Sequence, residues 1–107
     1  MSSSSITLNS NVNGDWGNLI LKYGKVVSVV FLLRVVTQFD GWATLSFGTI
    51  PAGFRPSRTA MIQLRSRNNI PAEITFNSSG NCTVYLTSNG ALSVGDVFGS
   101  TVTYISD

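Results

Sequence analysis

Histidine is absent from this chain, and its absence removes the commonest proton shuttle at neutral pH along with every zinc site of the Cys/His kind. Cysteine occurs once, at Cys82. A lone cysteine excludes an intrachain disulfide, so packing or assembly must supply the stability. Cys82 lies in an alternating stretch, where it is expected to act as a small buried hydrophobe. Charge is scarce as well: 11% of residues are charged, against about a quarter in ordinary globular proteins. The net charge of +2 and pI near 9.0 create too weak a field for nucleic-acid binding. Arg65-Ser66-Arg67, with Arg55 and Arg58 shortly before, is the nearest thing to a basic patch.

Long apolar runs are missing too. The most apolar window, Val26 to Val36, contains Ser28 and Arg34 and falls well short of the roughly twenty residues a membrane helix needs. Met1 to Ser5 is a polar serine run, unlike a signal peptide. It is expected to be a flexible lead, with residues 1–14 holding that lead and a first short strand, and 15–107 forming one β-sandwich domain.

The five carboxylates, Asp15, Asp40, Glu73, Asp96 and Asp107, show no pairing of the kind a glycosidase requires. Three of them adjoin glycine, where Asp is common for turn geometry. Gly14-Asp15-Trp16-Gly17 lacks the lysine and following helix of a phosphate loop. A binding module is therefore expected, not an enzyme, with no cofactor and no metal.

What remains is rich in Ser, Thr and Asn, about a third of the chain. β-Branched and aromatic residues recur between turn signals, with no helical period. The expected strands are Ile6 to Leu8, Leu19 to Tyr23, Val26 to Val36, Trp42 to Phe47, Arg58 to Arg65, Ala72 to Phe76, Cys82 to Thr87 and Phe98 to Ile105. The fold class is all-β, an antiparallel β-sandwich of jelly-roll-like kind. In the long central strand Val27, Val29, Phe31, Leu33 and Val35 make one wholly apolar face. The opposite face, Val26, Ser28, Val30, Leu32, Arg34 and Val36, is also mostly apolar, which a single antiparallel sandwich does not require. Val26, Val30, Leu32 and Val36 are therefore expected to meet another subunit, unless the N-terminal segment covers them or the strand is central in a tight barrel.

The run Gly48 to Thr59, GTIPAGFRPSRT, is a stiff connection. Pro51 and Pro56 keep Ile50 and Arg55 extended. Gly53 between them is free to take positive φ, reversing the chain while Phe54 turns inward and Arg55 and Arg58 stay near the surface. Together with Gly41-Trp42 this run resembles the pattern G-W, then G-x-(L/I)-P-x-G-(F/Y)-R-P-S, of the C-terminal receptor-binding head domains of siphophage and prophage tail and baseplate proteins. Leu21 to Ser28, Ala72 to Gly80 and Val102 to Ile105 resemble their opening hairpin, late hairpin and closing strand. The likeness covers most of the chain from about Asp15 onward, and the P-x-G-F-R-P-S run is its specific part.

The resemblance implies a homotrimeric head that binds host cell-surface saccharide without catalysis, carried on the virion beside other tail and baseplate proteins. An aromatic face with planar polar groups suffices for a sugar. Asp40, Trp42, Arg55 and Arg58 are the candidate ligand-binding residues, and an arginine fork also suits a phosphate in a polyol-phosphate polymer. Trp16, with Asp15 and Asn18, is a second candidate, as part of an N-terminal lid. The alternative is a structural trimerisation or adaptor module of the tail with no ligand.

Overall fold

The computed structural model describes residues 2–106, and of Asp15 and Trp16 the backbone alone. The described residues form nine strands and no helix: β1 Ser2–Ser4, β2 Thr7–Leu8, β3 Val12–Tyr23, β4 Val26–Val35, β5 Thr44–Thr49, β6 Ala60–Arg65, β7 Pro71–Phe76, β8 Asn81–Leu86 and β9 Val97–Ile105. They build two antiparallel sheets, a four-stranded one in the order β1-β3-β4-β9 and a five-stranded one in the order β2-β5-β8-β7-β6. The all-β antiparallel sandwich expected from the alternation is what forms. Strands β6, β7 and β8 are joined by hairpins, and β5 lies beside β8, so the larger sheet contains the Greek key from which jelly rolls are made. The segment 50–59 is the long connection of that key.

The inner faces read off the sequence meet in one core. Phe31 of β4 touches Phe47, Phe76 and Phe98 at ring-centroid distances of 6.4, 6.0 and 6.4 Å, and Phe47 meets Phe98 edge-on at 5.7 Å. Ile74, Val84 and Leu86 close it from the other sheet. Phe47 is buried beside buried Gly48, where the β5–β8 ladder shifts register between Ser46 and Gly48.

Two departures from the sequence reading concern the N-terminus. The serine run expected to be a lead pairs instead as an edge strand, Ser2 with Lys22 and Ser4 with Ile20. Serine has no strong strand preference, but an edge strand needs backbone groups more than apolar side chains. Strand β3 starts well before Leu19, at Val12, with its register against β4 shifting between Asn13 and Gly17. The polar and glycine residues there hide the alternation, because a bulge breaks it.

Candidate functional site

The connection between β5 and β6 is tied down at nearly every residue. The Phe54 amide donates to the Pro51 carbonyl at 3.2 Å, closing a turn in which Gly53 has φ 91°. Phe54 packs against the core, and its carbonyl accepts from the Tyr104 hydroxyl at 2.6 Å. Burial pushes the Tyr104 phenol above its ordinary range, so it stays a donor. The Lys22 ammonium donates to the Gly53 carbonyl at 2.5 Å and lies 5.9 Å from the centre of the Phe54 ring. Ser57 donates through its amide to Ile105 at 3.0 Å.

Arg55 is half-buried and its Nε donates to the Ile50 carbonyl at 2.9 Å. The Ile50 amide in turn donates to Gly80 at 2.7 Å. Gly80 stands in the β7–β8 turn with φ 86°, and a Cβ there would collide with Arg55 Nε and with the Ile50 carbonyl. The arginine stem therefore lies directly on the turn. Around it Ala52, Gly53, Arg55 and Ser78 line an open pocket of about 240 Å³. Arg58 is exposed in the same loop and Lys25 is exposed in the adjoining β3–β4 turn. Lys22, Lys25, Arg55 and Arg58 thus share one end of the sandwich, while the described carboxylates Asp40, Glu73 and Asp96 lie elsewhere.

Trp42 and Asp40 stand in the β4–β5 connection. Trp42 is 60% exposed with φ 60°, a left-handed conformation that costs a non-glycine residue about 1 kcal/mol or more. The surroundings impose it. The Ala43 amide donates to Asp40 at 3.2 Å, the Trp42 amide donates to Ser88 at 2.9 Å, and Gly41 lies so close to Asn89 that a Cβ would come within 2.5 Å of its carbonyl group. Gln38 donates through Nε2 to Asp40 Oδ1 at 3.3 Å. The result is a bare indole beside amide and carboxylate groups, a chemistry suited to a sugar's C–H face and hydroxyl rim.

These two groups do not form one site within the chain. Strand β5 runs between them, and roughly 25 Å of extended chain separates Trp42 from Ile50. Pairing Trp42 with Arg55, natural in a sequence where they are near neighbours, is undone by the strand that carries the chain from one end to the other. The sequence also gave no sign of Ser78, which reaches the pocket through the β7–β8 hairpin. Asn18 is occupied structurally, accepting from the Ile6 amide at 2.7 Å and donating to its carbonyl at 2.9 Å. The Asp15 and Trp16 side chains lie outside the described residues. Among the described residues no group of three or more His, Cys, Asp or Glu could hold a metal ion.

The outer face of the four-stranded sheet is apolar. Val26, Val30, Leu32 and Val36 are 38 to 43% exposed in the single chain. Cross-strand pairing aligns Tyr23, Val26 and Ile105 in one row and Leu19, Val30 and Thr101 in another. Strand β1 joins the sheet at its edge and β2 joins the other sheet, so neither covers this face. The outer face of the five-stranded sheet, with Thr44, Tyr85, Glu73 and Gln63 in one row, is polar.

The fold thus defines a small antiparallel sandwich with one polar and one largely apolar outer face. Among solved structures it is similar to the head domain of phage bIL170, described among the receptor binding domains of lactococcal phages, with a TM-score of 0.76. The match covers 100% of this chain and 99% of that one at 14% sequence identity. Neither a family model nor a curated protein matches the sequence.

Proposed function

We propose that this chain is the receptor-binding head of a phage or prophage tail or baseplate protein, a homotrimer on the virion that recognises host cell-surface saccharide without catalysis. The observation that carries this reading is the end-to-end likeness to the bIL170 head domain. Fold alone does not fix function, and two features of this chain add to it. Trp42 is held exposed in a left-handed conformation by the contacts of its turn with Ser88 and Asn89, and strained backbone of this kind clusters at binding sites. The exposed, largely apolar outer face favours association with another subunit, and three weak sites on one particle raise avidity.

Trp42 with Asp40 is the sugar-facing group in this reading. Arg55 and Arg58 at the basic end receive an anionic group, such as the phosphate of a polyol-phosphate polymer. The test is titration of host cell-wall polysaccharide against wild type, Trp42→Ala and Arg55→Ala, with molar mass followed by light scattering. Trp42→Ala is expected to lose binding about five- to a hundredfold while the mass stays that of a trimer; base stacking on aromatics of about 1–3 kcal/mol gives the scale. The apolar face alone serves equally a structural trimerisation or adaptor module of the tail, for which neither substitution changes any interaction with polysaccharide.

A further inference from the structure

The sequence contains two Asn-Gly pairs, Asn13-Gly14 and Asn89-Gly90, and the fold treats them differently. Asn13 lies in β3, paired with Arg34 of β4. Asn89 is exposed at the tip of the β8–β9 connection, where the following Gly90 amide is bonded to nothing stronger than the Ser88 hydroxyl, at 3.1 Å. Asn77, half-buried in the β7–β8 turn and followed by serine, has its carboxamide oxygen occupied by the amides of Ser79 and Asn81 at 3.1 and 2.9 Å. Glycine after asparagine puts no side chain of its own beside the backbone nitrogen.

We propose that Asn89 is a self-modifying site whose conversion releases Trp42 from its fixed position. The Gly90 nitrogen attacks Asn89 Cγ, a C–N bond forms, the Cγ–Nδ2 bond breaks, and ammonia leaves with the proton lost from nitrogen. Water then opens the resulting succinimide at either C–N bond. One opening gives aspartate; the other gives isoaspartate, in which the former side-chain methylene has entered the backbone. The second product is the one the structure cannot absorb. The Asn89 backbone already packs on Gly41 so closely that not even a methyl group fits between them, and the carbonyl of Ser88 holds the Trp42 amide. A backbone atom added at this point displaces the Gly41-Trp42 turn. The left-handed Trp42, whose amide is bonded to Ser88 and whose neighbour Gly41 packs on Asn89, then relaxes. The inference stands on this contact and is independent of what the head binds.

Folded protein incubated at mildly alkaline pH and mapped by mass spectrometry is expected to exchange NH₂ for OH at Asn89 well ahead of Asn13. The backbone amide resonance of Trp42 shifts in step with isoaspartate. Asn89→Gln and Gly90→Ala suppress both changes. Asn89→Asp, measured before incubation so that its own Asp-Gly pair has not cyclised, adds the charge without lengthening the backbone and leaves the Trp42 resonance in place. Conversion no faster at Asn89 than at Asn13 overturns the proposal. So does isoaspartate formation with an unmoved Trp42, or an equal shift in Asn89→Asp.

Discussion

At the scale of single residues, Cys82 and Trp42 show opposite uses of environment. Cys82 is fully buried, and burial pushes its thiol up from 9.0 to about 12, opposed by a weaker backbone interaction with Ile50. The unfolded chain therefore gives up this proton at lower pH than the folded one does. Its contribution is fully present below pH 9.0 and is lost as pH rises towards about 12, by up to about 1.4 kcal/mol per pH unit. Urea unfolding at pH 8 and pH 10.5 is expected to show a smaller alkaline loss in Cys82→Val than in wild type. An equal loss would locate the alkaline sensitivity in other groups. The burial of Cys82 was legible in its alternation with Val84 and Leu86, and the turn at Gly53 in its position between prolines. The backbone of Trp42 was not legible. Nothing local demands a left-handed tryptophan; the demand comes from Ser88 and Asn89, far along the chain.

At the scale of elements, the Greek-key connection 50–59 is held by groups from β3, the β7–β8 turn and β9. Its stiffness was readable from its prolines, but its partners were not, because Gly80, Tyr104 and Lys22 reach it only through the sheet order. Gly80→Ala is expected to destabilise the domain by about 1–2 kcal/mol, since the position has positive φ and its Cβ would strike Ile50 and Arg55. Equilibrium denaturation measures this. Gly53→Ala, where a Cβ meets nothing within 4 Å, shares the backbone strain and lacks the collision, so it should cost less. Equal costs would show that the seat of Arg55 on the turn contributes nothing. The serine run that pairs as β1 was missed for a related reason: an edge strand is specified by the partner's open backbone, which composition does not reveal.

At the scale of the whole molecule, the two outer faces differ in kind. The period-two pattern of Val26 to Val36 was enough to foresee that one sheet would be apolar on both sides. It could not show that Leu19, Tyr23 and Ile105 from neighbouring strands would extend the patch. Val30→Asp, at the centre of that face, is expected to convert the proposed trimer to monomer or aggregate, read as molar mass by light scattering. Thr83→Asp on the polar face of the other sheet serves as the control and should leave the mass unchanged. A stable trimer in Val30→Asp would remove this face from the interface.

The ladder of β4 carries a further consequence. Its first neighbour, β3, precedes it by a tight turn, whereas its second, β9, lies some seventy positions later in the chain, with Val26 facing Ile105. As the polypeptide leaves the ribosome, the most apolar strand has one edge open until residues 97–105 have emerged. The whole five-stranded sheet has been synthesised by then, yet the sheet that it packs on still lacks β9. Domains of such non-local pairing fold slowly. This one cannot complete its four-stranded sheet until residues 97–105 are available, and the open apolar edge is an aggregation hazard in the interval.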